Sequence, residues 1–379
     1  MKQKFVPVVF FLCISVLIYS QSIAIKRNNT ILKDGPGSYF TNLVVLNSGV
    51  VVTQIGPSKD DSGWIEVVYN KTKGFVPKLA FQAVTGNNYG DLLSGTDFSS
   101  KKQTIASTSY TAAIKGFALE YAVKKGIKIN LDDIYAITEF KSTDLIKFQK
   151  EAKLAYFPKE GEYIGDSKRV MNPSLEAVGL SISLSVLSNG YIPDVNMTRK
   201  LNVIANILNR QTFDYDRRLY VWIINDPEPV AYSGPGGYIF VSDSLLKLLS
   251  DNRELVAVIA HEIGHIAKRH GIKDLNFDIA KQSAQSQFDE LDDLTLTDEE
   301  KSVSQDLDSI MDEATKACAL VRDDIQEFEA DEVAMELLRR YKIDNSYLKK
   351  ALSKVYTATS TNAQPQYKEQ TQKRLARIK

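Results

Sequence analysis

One stretch, DNRELVAVIAHEIGHIAKRHG at residues 251–271, restricts the fold more than any other part of the chain. Leu255, Val258, Ile259, Ile263 and Ile266 recur at helical spacing, which predicts an amphipathic helix laid against a core. Asp251 with Glu254 three residues later predicts a capping box at its start, and Gly271 predicts its stop. Inside that helix His261 and His265 stand four apart, one turn above each other on the same face. Two imidazoles so placed reach one metal ion together, and Glu262 beside them can take a proton from a water on that ion. The chain has only 3 histidines in 379 residues, so their coincidence with this glutamate argues against a pair of structural histidines.

The pattern is H-E-x-x-H, whose chemistry is zinc binding by the two histidines with the glutamate as general base; it implies one Zn2+ per chain. A catalytic zinc site takes three protein ligands and leaves a fourth position to water. His270 is the remaining histidine, and on a continuing helix it points away from the pair, so it reads as a surface residue. The stretch DDIQEFEADEVAMELLRR at 323–340 offers carboxylates instead. Glu327 and Asp331 are four apart on one helical face. Glu327 can bind the metal while Asp331 accepts a hydrogen bond from a ligand histidine and fixes its tautomer.

Around this centre the chain divides into blocks. Residues 1–24 have the composition of a secretory signal: Lys2 and Lys4, then the apolar run FVPVVFFLCISVLIY, with small residues for cleavage after Ala24 or after Ser20. The run is short for a membrane span, so the mature chain is expected to have none; an uncleaved anchor is the alternative. Cys13 lies in that leader, which leaves Cys318 alone and no intramolecular disulfide in a processed chain. Lys plus Arg (47) equals Asp plus Glu (47), which excludes a net field drawing the chain to nucleic acid. Residues 25–86 read as short β-strands punctuated by Asp34-Gly35-Pro36-Gly37, Gly56-Pro57 and Asn70-Lys71, a pattern that suggests a small barrel. Residues 87–169 read as a Gly/Asn/Ser/Thr-rich linker followed by a helical connector. Residues 170–379 form the metal-binding domain, in which the acidic segment 276–320 is expected to cover the cleft.

Two resemblances sharpen this picture. LKDGPGSYF, GWIEVVYN and KGFVP resemble, in that order, a bacterial SH3 (SH3b) domain, with Lys33 where that family has Arg and Gly74-Phe75 where it has Gly-Trp. Such domains often bind cell-wall or other peptides; a barrel that only steadies its neighbour is the equal alternative. VAYSGPGGYIFVSDSLL, ELVAVIAHEIGHIAKRH and QEFEADEVA resemble the HtpX-like and CAAX-prenyl-protease-like zinc metallopeptidases, peptidase family M48, over roughly residues 170–379. The fold implied is multidomain: a small all-β SH3-like barrel followed by a mainly helical α+β zincin-type (gluzincin) metallopeptidase domain. The resemblance makes Glu327, rather than Glu329, the third ligand. It places an extended substrate along the backbone of Ala231 to Ser233. Soluble members often carry a Thr-His-Pro whose histidine stabilises the oxyanion; here Asn362 stands near that place, so either another donor such as Arg374 or a tyrosine replaces it, or the enzyme works weakly, or the pocket holds a regulatory group and basal activity is low. The implied function is an exported, periplasmic or extracellular zinc endopeptidase acting on envelope or misfolded proteins. Two rivals stay open: a metal-holding pseudo-peptidase serving as a chaperone-like adaptor, and a cell-wall-acting hydrolase guided by the barrel.

Overall fold

The computed structural model describes residues 21–58, 63–82, 104–152, 154, 162–167, 173–273, 322–359 and 365–379. The segment expected to cover the cleft, the position near Asn362, Cys318 and most of the leader lie outside these residues.

The N-terminal region is a single antiparallel sheet. Its strands are β1 (Gln21–Ala24), β2 (Thr30–Lys33), β3 (Asn42–Leu46), β4 (Val51–Pro57), β5 (Trp64–Tyr69), β6 (Thr72–Pro77) and β7 (Thr104–Ala106), in the spatial order β1-β4-β5-β6-β2-β3-β7. The β5–β6 hairpin turns at Asn70 and Lys71, both with positive φ (45° and 68°), the conformation whose twist matches the flanking strands. Alternation places Leu32, Leu46, Val52, Val67 and Val76 in one core. The edge strands β1 and β7 do not pair with each other among the described residues, so this is an open sheet where a closed barrel was expected. The reason is visible in β7. It comes from the segment read as linker, and it extends the β3 edge (Val44↔Ala106, Leu46↔Thr104). Cleavage of a leader after Ser20 would keep β1, and cleavage after Ala24 would remove it.

Two features tie this sheet to the rest of the chain. Trp64 is 1% exposed and packs edge-on against Tyr215, with ring centroids 6.0 Å apart; the Tyr215 hydroxyl donates to the Gly63 carbonyl at 2.9 Å. Lys33 is buried beneath the loop that follows β2, and its ammonium donates to Ser38 O at 2.9 Å, Phe40 O at 3.2 Å and Asn42 Oδ1 at 2.6 Å. Burial pushes its pKa down to about 8.

The connector helices α1 (Ser107–Lys124), α2 (Leu131–Ala136) and α3 (Ser142–Glu151) are not spacers. Phe117, Tyr121 and Ile134 share a core with Leu180 and Leu184 of α4 (Pro173–Ser188) and with Trp222 and Phe240. A small sheet stands between two cores: β8 (Tyr220–Ile224), β10 (Tyr238–Ser242) and β9 (Ala231–Gly234), ordered β8-β10-β9, with β10 parallel to β8 and antiparallel to β9. Period-two alternation sends Trp222, Ile224, Tyr238 and Phe240 into the core shared with α1 and α4. It sends Val221, Ile223, Ile239 and Val241 the other way. There they meet α5 (Val195–Asn209), α7 (Asn252–Lys268) and α9 (Asp324–Arg340). The remaining helices are α6 (Asp243–Leu248), α8 (His270–Lys273), α10 (Ser346–Thr359) and α11 (Pro365–Arg377).

The two edges of the small sheet are treated differently. Asn202 and Asn206, one turn apart on α5, cover the outer edge of the chain at β8. The Asn202 amide donates to Val221 O (2.7 Å) and accepts from Val221 N (3.0 Å). Asn206 makes the same pair of bonds with Leu219 at 2.9 and 3.1 Å. Side-chain amides thus take up this edge at Leu219 and Val221, a short segment at Tyr191 pairs with it at Ile224, and β9 is left to face the cleft.

Candidate metal centre

Helix α7 forms as its sequence requires at the start. Asp251 accepts from Arg253 N at 2.8 Å, and Glu254 reaches back to Asp251 N at 3.4 Å to complete the capping box. Leu255, Ile259 and Ile263 are buried, with Val258 and Ile266 half-buried against the same core. Its end differs from expectation. The helix stops at Lys268 because Arg269 adopts the left-handed conformation (φ 59°), two residues before the predicted glycine stop.

Helix α9 lies directly on α7, and its start is capped by Asp323, which accepts from Gln326 N at 2.8 Å. Gly264 permits the approach: a β-carbon there would sit 2.6 Å from the Ala330 carbonyl oxygen and 2.8 Å from its Cα. At this crossing Glu327 and Asp331 face His261 and His265, with exposures of 8%, 2%, 9% and 2%. The donor atoms converge. His261 Nε2 and His265 Nε2 are 3.1 Å apart, His261 Nε2 and Glu327 Oε2 3.4 Å, and His265 Nε2 and Glu327 Oε1 3.5 Å. Donors about 2.0–2.1 Å from a tetrahedral ion are about 3.3 Å from each other, so these three residues have the spacing of a zinc ligand set. Glu329 is not among them, as expected for residues two apart on a helix.

The surrounding groups fit a metal centre as well. Asp331 Oδ1 lies 2.9 Å from His261 Nδ1, the atom a metal at Nε2 would leave free. Arg374 of α11 clamps both carboxylates: Nε and Nη2 each lie 2.8 Å from an Asp331 oxygen, and Nη1 lies 2.6 Å from Glu327 Oε2. Burial alone would raise Asp331 and Glu327; Arg374 and His261 overcome it and hold both carboxyls below the usual range. Burial pushes His265 down, toward the neutral form that binds metal. Glu262 is 3% exposed, and its Oε2 has no hydrogen-bond partner. Burial pushes its pKa up, against the nearby charges of His261 and Arg322. An orphaned carboxylate oxygen on the wall of the ligands' cavity suits a base awaiting a water.

That cavity has a volume of about 370 Å³ and brings Glu262 and the ligands together with Ala231 and Tyr232 of β9 and with Leu348, Leu352 and Val355 of α10. The bond from Ser242 N to Val230 O at 2.9 Å fixes which backbone groups of β9 point to β10. Val230, Tyr232 and Gly234 do so, and Ala231 and Ser233 turn theirs outward. Arg322 is already there: its Nη2 donates to Ser233 O at 2.8 Å, and Gln370 of α11 donates to the Arg322 carbonyl at 2.8 Å.

Two sequence expectations change. His270 is not a surface residue: it is 0% exposed and its Nδ1 lies 2.8 Å from His265 Nδ1. The expectation assumed one continuous helix, and the left-handed Arg269 swings the chain back. Arg374, offered as an oxyanion donor, is engaged by Asp331 and Glu327. Arg322 was not singled out in the sequence, and it lies in no motif that could have flagged it.

Residues 197–374 match the family model described as Peptidase family M48. Over 62 residues the chain is 36% identical to the mitochondrial metalloendopeptidase OMA1 of Schizosaccharomyces pombe (strain 972 / ATCC 24843), covering 16% of this chain and 18% of that protein. The chain therefore matches less than a fifth of that relative's length.

Proposed function

We propose that the segment matching peptidase family M48 is a zinc-dependent endopeptidase, with His261, His265 and Glu327 holding the metal. The observation that carries this reading is the convergence of those three donors with the unpartnered Oε2 of Glu262 on one cavity, beside the edge of β9. Zinc bound there would lower the pKa of water and polarise the scissile carbonyl. The chain's own residues do the rest. The outward backbone groups of Ala231 and the Ser233 amide pair with an extended peptide, as a strand added to a sheet edge. Glu262 takes a proton from the attacking water and hands it to the leaving amine; its burial-raised pKa makes it a better acceptor than a solvated carboxylate. Asp331 keeps the His261 proton on Nδ1. Tyr232 and Tyr367 line the cavity and are the tyrosines placed to take the oxyanion role that Arg374 cannot.

The relative's name, a metalloendopeptidase, supports proteolysis; export is proposed from the apolar N-terminal run alone, and action on envelope or misfolded proteins from the family resemblance alone. Among the described residues no helix is long and apolar enough to cross a membrane. Glu262→Gln tests the assignment. It should lower casein hydrolysis by about 10²- to 10⁴-fold while the purified protein still carries one zinc per chain. Retained proteolysis, or zinc lost with the substitution, would overturn the role given to Glu262. A zinc-loaded wild type with no proteolysis would favour the adaptor reading instead.

A further inference from the structure

We infer that His270 and Glu329 form a relay that orients the metal ligand His265, an inference that rests on the zinc-site reading above. His265 Nδ1 lies 2.8 Å from His270 Nδ1, and His270 Nε2 lies 3.0 Å from Glu329 Oε2. His265 and His270 are 2% and 0% exposed. The direction of every proton in this chain follows from one end. With Nε2 of His265 turned to the metal, its proton is on Nδ1 and is donated to His270 Nδ1. That nitrogen must be an acceptor, so His270 carries its proton on Nε2 and donates it to the Glu329 carboxylate. Lys268 Nζ lies 3.7 Å from Glu329 Oε1.

The two ligand histidines are therefore held by different devices. His261 meets a carboxylate directly, whereas His265 meets one through an intervening imidazole. The need for the extra link is geometric. Asp331 and Glu327 face His261 from the near side of α9, and no carboxylate of α9 reaches His265 Nδ1 except Glu329 by way of His270. An imidazole whose far nitrogen is bonded to a carboxylate is a stronger acceptor than a free one. The relay thus fixes the tautomer and ring plane of His265 and raises its basicity toward a metal. His270 and Glu329 are positioning residues; neither touches metal or substrate.

The test reads metal binding rather than turnover: zinc affinity by competition with a chromogenic chelator, and the visible spectrum of the cobalt(II)-substituted protein. His265→Ala should abolish tight binding; if it binds zinc like the wild type, the metal-site reading fails and the relay with it. With that site established, His270→Ala should weaken zinc binding by about 10- to 100-fold and shift the cobalt bands. His270→Asn, which keeps an acceptor for the His265 proton, should recover part of the loss. Glu329→Ala should weaken binding by about 10-fold, the low end for an outer-shell partner, and add nothing in the His270→Ala background, because the two act through one chain of bonds. Glu329 is partly exposed, so its variants carry the test should His270→Ala fail to fold. Unchanged zinc affinity in Glu329→Ala, or losses at the two positions that simply add, would overturn the relay.

Discussion

Arg374→Ala removes a guanidinium that stands, beside His261, against two buried carboxylates, and its cost can be worked from the contacts it breaks. The guanidinium is 8% exposed. It makes a two-pronged bond to Asp331, at 2.8 Å on each side, and a third contact of 2.6 Å to Glu327. An exposed ion pair contributes about 0.2–1 kcal/mol, but Asp331 is 2% exposed and cannot recover water when its partner goes. Breaking a buried pair by removing one member costs about 3–5 kcal/mol, or roughly 150- to 5,000-fold in the folding equilibrium. Zinc changes the sum. When Glu327 is coordinated it has a second cation, so the loss should be larger in chelator than in excess zinc. The assay is urea unfolding of wild type, Arg374→Ala and Arg374→Lys under both conditions. A lysine keeps the charge but cannot span both carboxylates, so it should fall between the other two. A loss below about 1 kcal/mol in chelator, the size of a surface pair, would refute the claim that α11 is pinned to the metal centre by this clamp. So would a loss that zinc leaves unchanged.

Gly264→Ala should weaken zinc binding without touching a ligand. Its β-carbon would meet backbone atoms of Ala330 at 2.6 and 2.8 Å, so α9 must retreat with Glu327 and Asp331. Overpacking of about 1–3 kcal/mol corresponds to roughly 5- to 150-fold in zinc affinity, and an unchanged affinity would show that the contact does not set the metal geometry. Lys33 should make the N-terminal sheet more stable as pH rises: its folded pKa is about 8 against 10.5 for a free lysine, so between those values the unfolded chain binds more protons and stability increases with pH. The stability difference between wild type and Lys33→Met should shift in favour of wild type by about 2 kcal/mol from pH 7 to pH 9.5; a difference that stays constant would show that Lys33 titrates as a solvated lysine.

What could be read from the sequence was what local periodicity encodes. The apolar stripe of α7, its capping box and the four-residue spacings His261–His265 and Glu327–Asp331 each depend on one helix alone, and each is found in place. What could not be read depended on two elements meeting. β7 lies in a stretch whose composition says linker, and it is a strand only because the β3 edge accepts it. Asn202 and Asn206 look like ordinary polar residues of an amphipathic helix. Their role exists only because β8 runs alongside with unpaired backbone groups. The spacing of asparagines in LNVIANILN was the available signal. The connector helices, too, show no catalytic residue, yet Phe117 and Tyr121 complete the core on the far side of the β8-β10-β9 sheet.

His270 shows how a single backbone angle decides whether a residue belongs to a site. A non-glycine residue in the left-handed region costs about 1–2 kcal/mol, and Arg269 holds it at φ 59°. Such a conformation persists only where the surroundings over-determine it. Here its amide bonds to Ile266 O at 3.0 Å and its guanidinium lies 3.5 Å from Asp166. Had α7 continued regularly through Arg269, His270 would face away from His265 and Glu329 would lose its imidazole partner. The chain's three histidines instead stand in one continuous series, from His261 through His265 to His270. Carboxylates of α9 flank it: Glu327 and Asp331 beside His261, and Glu329 at the His270 end. The E-x-E-x-D spacing of α9 then has a physical reading. The outer pair, one turn apart, face the candidate metal site and His261. The middle residue, on the flank of the helix, is useful only because the break at Arg269 brings an imidazole round to meet it.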